Sequence, residues 1–69
     1  MNETTKAVLM DITDDILVQL DEVQSDTDDS HNRGRRLAYV DILKTVRGYV
    51  DEDDWKAFKI DFDIDRKYL

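Results

Sequence analysis

Asp61, Asp63 and Asp65 stand at alternate positions near the end of the sequence. That is the opening spacing of a loop that wraps oxygen ligands round a calcium ion. The pattern then fails. Such a loop needs glycine at its sixth position for a sharp turn and a bidentate glutamate at its twelfth. Arg66 occupies the sixth, and the sequence stops at Leu69, short of the twelfth. Two further acidic clusters, Asp26/Asp28/Asp29 and Asp51 to Asp54, hold the residue types of a divalent-cation site or an acid–base pair. Nothing in either cluster suggests burial. Helix capping and turn formation account for both.

The rest of the catalytic repertoire is thin. There is no cysteine, and His31 is the only histidine, so a thiolate or histidine-based zinc site has no ligand set. Ser25 and Ser30 lack the neighbouring base that activates a nucleophile, and no glycine-rich phosphate loop is present. No enzyme activity, cofactor or metal is expected. Arg33, Arg35 and Arg36 form the single basic patch. It opens a helix, where cations oppose the macrodipole. Direct contact with nucleic acid is disfavoured, because 10 Lys and Arg stand against 17 Asp and Glu, a net −7. Pairing with the aspartates of the preceding loop or first helix is the expected role.

Positioning these residues falls to helices. The chain has 69 residues, no proline and two glycines, Gly34 and Gly48. Val8, Leu9, Ile12, Ile16, Leu20 and Val23 recur at steps of three and four, which predicts a helix over about 4–24 with Asn2 as N-cap. Residues 25–31 are rich in Ser, Asp and Asn and predict an acidic loop, from which Asp28, Asp29 or Ser30 caps the next helix. Tyr39, Ile42, Leu43, Val46, Tyr49 and Val50 predict a second helix over about 32–50. An acidic start before Trp55 predicts a short helix over about 53–58. Phe58, Ile60, Phe62 and Ile64 then alternate with charged residues, a period that reads as extended chain; no second strand is present to pair with it, so 59–69 is expected to be a tail, its conformation left open, that packs Phe62, Ile64, Tyr68 or Leu69 against the helices. The fold class is all-α: an antiparallel hairpin of two long helices plus a short C-terminal helix and tail, in one domain. The expected core is Leu9, Ile12, Ile16, Leu20, Val23, Tyr39, Leu43, Val46 and Val50.

A domain of this size buries only about 60% of its unfolded surface and rarely gains more than about 3–5 kcal/mol from its core. Disulfides and metals being unavailable, association is the remaining source of stability. Met10 and Leu17 on the first helix, with Leu37 and Val40 on the second, fall outside the main stripes. They are the expected interface of a homodimer, two hairpins forming a four-helix bundle. Trp55, Phe58 and Phe62 form a candidate aromatic surface for another protein.

The leading expectation is a small acidic protein–protein interaction module without catalysis. The alternative is an acidic nucleic-acid mimic, or phage-type inhibitor, that occupies a nucleic-acid-binding groove of a partner. A mimic requires carboxylates continuous on one face, uninterrupted by Arg35, Arg36, Lys44 and Arg47; an interaction protein requires an apolar patch. Met1 to Leu9 lacks a signal-peptide pattern and no apolar run reaches the ~20 residues of a membrane span, so the expected location is cytoplasmic, away from membranes.

Overall fold

The computed structural model describes residues 1–69 and is all-helical. Helix α1 spans Glu3–Ser25 and helix α2 spans Ser30–Tyr49. The two pack antiparallel in an elongated body of 40 × 20 × 16 Å. No helix is long and apolar enough to cross a membrane.

Local chemistry sets the boundaries. The Asn2 side chain accepts from the Thr5 amide at 2.7 Å, satisfying one of the four unpaired donors that open a helix. At the hairpin bend the Asp29 carboxylate accepts from the Asn32 amide at 2.9 Å, and the Asn32 side-chain amide donates to the Thr27 carbonyl at 2.7 Å. Asn32 is buried, so its polar groups require these partners. This double tie starts α2 two residues earlier than the sequence suggests and shortens the loop to Asp26–Asp29. Gly34 lies inside α2 with no atom within 4 Å of where a Cβ would stand. Its helix cost, about 1 kcal/mol against alanine, therefore has no packing reason within the chain.

Beyond Val50 the chain departs from expectation. The short helix over 53–58 is not formed. A 3₁₀ turn, Glu52–Asp54, is followed by turn structure through Lys59. The Lys59 amide donates to the Lys56 carbonyl and the Ile60 amide to the Trp55 carbonyl, at 3.1 and 2.9 Å. Lys59 itself adopts φ 62°, the left-handed conformation that ends a helix and is usually given to glycine. The reversal redirects the chain along the hairpin. The tail is partly helical. Residues 60–63 have no regular structure, and Ile64–Tyr68 form helix α3, capped by the Asp63 carboxylate on the Arg66 amide at 3.2 Å.

Residues 51–69 thus form a strap laid along one side of the hairpin. Lys6 meets Asp54 at 3.3 Å, Lys44 meets Asp65 at 2.7 Å and Gln24 donates to the Lys67 carbonyl at 2.6 Å. Phe58, Ile60, Ile64 and Tyr68 are inserted into the core beside Ile16, Leu20, Leu43, Val46 and Val50. Val40 also belongs there, at 1% exposure. Thr13 is fully buried within α1, its hydroxyl donating to the Leu9 carbonyl at 2.7 Å. Three expected core positions move outward: Leu9 and Tyr39 are half-buried and pack against the core, while Ile12 is 48% exposed.

Candidate interaction surface

The strap gives the hairpin two unlike sides. At about 100° per residue, Lys6, Met10, Leu17 and Gln24 lie on one flank of the buried face of α1. Thr5, Val8 and Ile12 lie on the other. On α2, Val40, Lys44 and Arg47 lie on the strap side, and Arg35, Tyr39, Ile42, Val46 and Tyr49 lie opposite. Nothing in the chain covers this second side. Val8, Ile12, Ile42 and Tyr49 are between 46% and 77% exposed there. The contact between the Arg35 guanidinium and the Gln19 side-chain oxygen, 3.5 Å, sets the levels of the two helices. By the helical repeat, Ile12 on α1 and Ile42 on α2 each lie two turns further from the bend than that contact. The exposed apolar residues therefore form one open face shared by both helices.

The interface residues expected from sequence separate. Val40 is buried in the core of its own chain, and Met10 and Leu17 are half-buried and packed against that core. Their stripe is the one the strap covers. Leu37 alone is open, at 53%, and it lies on the outer surface of α2, apart from the open face.

The aromatic candidates also turn inward. Phe58, at 1% exposure, is core, which removes it from any partner surface. Trp55 donates its indole N–H to the Val50 carbonyl at 3.0 Å beneath the Arg47 guanidinium, 5.1 Å from the ring centre. Phe62 meets Tyr68 edge-on at 6.0 Å, with the Lys67 ammonium 5.0 Å from its ring centre. Such contacts favour the aromatic face meeting a cation and offset ring pairs. Trp55 and Phe62 are anchors of the strap.

Charge is segregated by helix. α1 carries Glu3, Asp11, Asp14, Asp15, Asp21 and Glu22 against Lys6 alone. α2 carries Arg33, Arg35, Arg36, Lys44 and Arg47 against Asp41 alone. All six acids of α1 lie on the arc facing away from α2, and Lys6 sits on the strap side in its pair with Asp54. In the basic patch, Arg36 and Arg33 reach the Asp28 carboxylate at 3.4 and 4.0 Å, while Arg35 turns to Gln19. The Arg36 Nε is buried without a partner. Asp61, Asp63 and Asp65 diverge: Asp63 caps α3 and Asp65 pairs with Lys44. No three His, Asp or Glu side chains converge as metal ligands.

Tyr68 is the one titratable group clearly displaced. Burial raises its phenol above the ordinary 10.0; the nearby Asp21 carboxylate, which accepts from its hydroxyl at 3.2 Å, adds to the rise, and Lys67 opposes it. In the unfolded chain the phenol ionises first. Stability from this group is therefore complete below pH 10 and is lost as pH rises through the folded value. Urea midpoints measured from neutral pH to above pH 10 should fall more steeply for wild type than for Tyr68→Phe. Parallel profiles would show that the phenol is not held neutral by the fold.

Comparison with known proteins gives no family, because no family model matches the sequence. No curated protein and no solved structure matches it either.

Proposed function

We propose that this chain is a non-catalytic protein–protein interaction module and that its working surface is the open face. The observation that carries this reading is the exposure of Val8, Ile12, Ile42 and Tyr49 on the side of both helices that the strap leaves uncovered. Single exposed apolar residues are ordinary; a contiguous patch on a small protein marks an interaction site. The dimeric four-helix bundle belongs to the same proposal, with its interface moved from the stripe of Met10, Leu17 and Val40 to the opposite flank.

The test is capture of partners from the native host by immobilised wild type and two charge variants. Ile42→Asp places a carboxylate in the open face and should abolish specific capture. Leu37→Asp is equally exposed but lies elsewhere and should leave it intact. Capture indifferent to Ile42→Asp would reject the open face as the working surface.

A nucleic-acid mimic is the second reading. The outward arc of α1 supports it in part: Asp11, Asp15 and Glu22 meet no cation there, whereas Asp14 meets the strap's Lys59 at 3.7 Å and Asp21 accepts from the Tyr68 hydroxyl. Mimicry predicts a different pattern in the same experiment. Capture would survive Ile42→Asp, weaken steeply with salt, and be lost on replacing Asp11, Asp15 and Glu22 by their amides.

A further inference from the structure

We infer that the occupant of the open face is a cationic amphipathic helix of another protein, its apolar stripe laid between α1 and α2 and its lysine or arginine side chains lined along α1. The inference rests on the reading of the open face as the working surface and names the chemistry of what covers it. Two packed helices leave a furrow on each side of their contact. The strap fills one furrow and so shows what this hairpin accepts there. It inserts Phe58, Ile60, Ile64 and Tyr68, and its Lys59 meets the Asp14 carboxylate of α1 at 3.7 Å. The other furrow has the same ingredients and no occupant. Val8, Ile12, Ile42 and Tyr49 are exposed along it, and a recess of about 270 Å³ opens between Thr4, Thr5, Val8, Leu9 and Ile12.

Charge fixes the occupant's sign. All five ion pairs of the chain engage the strap or the hairpin bend. Asp11, Asp15 and Glu22, which border the open face on α1, belong to none of them. Arg35 is the single lysine or arginine on that flank, and it turns to Gln19. Along α2 the border is uncharged at Ala38 and Thr45, with Asp41 beyond them. The open face is therefore apolar in the middle, acidic along α1 and neutral along α2. Opposite charges orient a contact and like charges oppose it. An acidic helix would meet the α1 border with repulsion, and a neutral one would leave its carboxylates uncompensated. A second copy brings the same acidic border and no free cation, so pairing of two copies is the weaker use of the face. A helix with apolar residues at i, i+3, i+4 and i+7 and cations along one edge complements both parts.

The test is selection from a displayed library by the immobilised full chain. The peptides are about 16 residues, long enough to form a helix. Their leucine stripe is fixed, and each flanking position varies among lysine, glutamate and glutamine. Wild type should enrich lysine over glutamate several-fold along one edge of the stripe. Combining Asp11→Asn, Asp15→Asn and Glu22→Gln should remove that preference and weaken the selected peptides roughly tenfold. Combining Glu52→Gln, Asp53→Asn and Asp61→Asn changes the net charge equally, on the strap, and should leave both unchanged. Ile42→Asp should abolish enrichment. Enrichment that depends on Ile42 but shows no lysine preference would overturn the cationic occupant while leaving the open face as the working surface. A lysine preference that survives Ile42→Asp, or that the strap variants remove equally, would reduce the effect to net charge and overturn the inference. Wild type that enriches nothing would reject a helical occupant, and the working surface is then judged by whether Ile42→Asp loses host capture. A wild-type dimer that the selected peptides fail to dissociate would place a second copy on the face instead.

Discussion

Phe58→Ala is expected to leave little folded protein at room temperature. Truncating a buried phenylalanine costs about 3–5 kcal/mol, and a core of this size supplies about that much in total. Phe58 is the largest fully buried side chain, and it sits one residue before the reversal at Lys59. Its loss leaves a void where the strap joins the hairpin core, and the strap has no regular element at that point to bridge the gap. Urea titration followed by circular dichroism reads the effect as a lowered or absent transition. An unchanged midpoint would mean that Phe58 lies at a surface, as the aromatic grouping in the sequence suggested, and the path of the strap would be wrong.

The second large effect is a contrast between neighbours on α1. Ile16→Ala should cost about 2–5 kcal/mol, the range for emptying a buried aliphatic site, because Ile16 is 6% exposed within the core. Ile12→Ala, one turn away on the same apparent stripe, should cost under about 1 kcal/mol, in keeping with a largely exposed position. Both variants are measured at low concentration, so that association does not contribute. Equal losses would place Ile12 in the core and close the open face that the proposed function requires.

That contrast also marks how far sequence reasoning reaches. The long helices were legible because their apolar residues recur at helical spacing, no proline interrupts them, and Asn2 and Asp29 have side chains that cap. Ile16, Leu20, Val23, Leu43, Val46 and Val50 were legible as core for the same reason. A helical stripe says that a face is apolar but not which of its flanks is covered. Met10 with Leu17 and Val8 with Ile12 are equivalent by that measure. The strap decides between them, and its path depends on tertiary contacts such as Lys6 with Asp54 and Tyr68 with Asp21. Its local signals conflict: alternating Phe58, Ile60, Phe62 and Ile64 suggest extended chain, while Asp63 caps a helix that begins at Ile64. The reversal at Lys59 was hidden because a lysine occupies a position where glycine would have announced a turn. Among the candidate site residues, Arg33 and Arg36 meet the loop carboxylate of Asp28, while Arg35 turns to Gln19. The split of charge between α1 and α2 was present in the composition of each segment, but it gains meaning only once both helices are seen to share one open face.

The strap differs from the hairpin in one further respect. Its backbone hydrogen bonds run within its own turns, as in Asp54 to Asp51, Ile60 to Trp55 and Leu69 to Asp65, and none joins its backbone to that of α1 or α2. Side chains alone hold it down. Peeling it away therefore breaks no helical ladder of the hairpin, but it withdraws Phe58, Ile60, Ile64 and Tyr68 from the shared core, so the opening is a rare excursion whose cost approaches that of unfolding. In that partly opened form Met10, Leu17 and Val40 are bared on the flank opposite Val8 and Ile12. Release of residues 51–69 thus turns a protein with one sticky side into a protein with two, the condition under which closed pairs give way to open-ended chains.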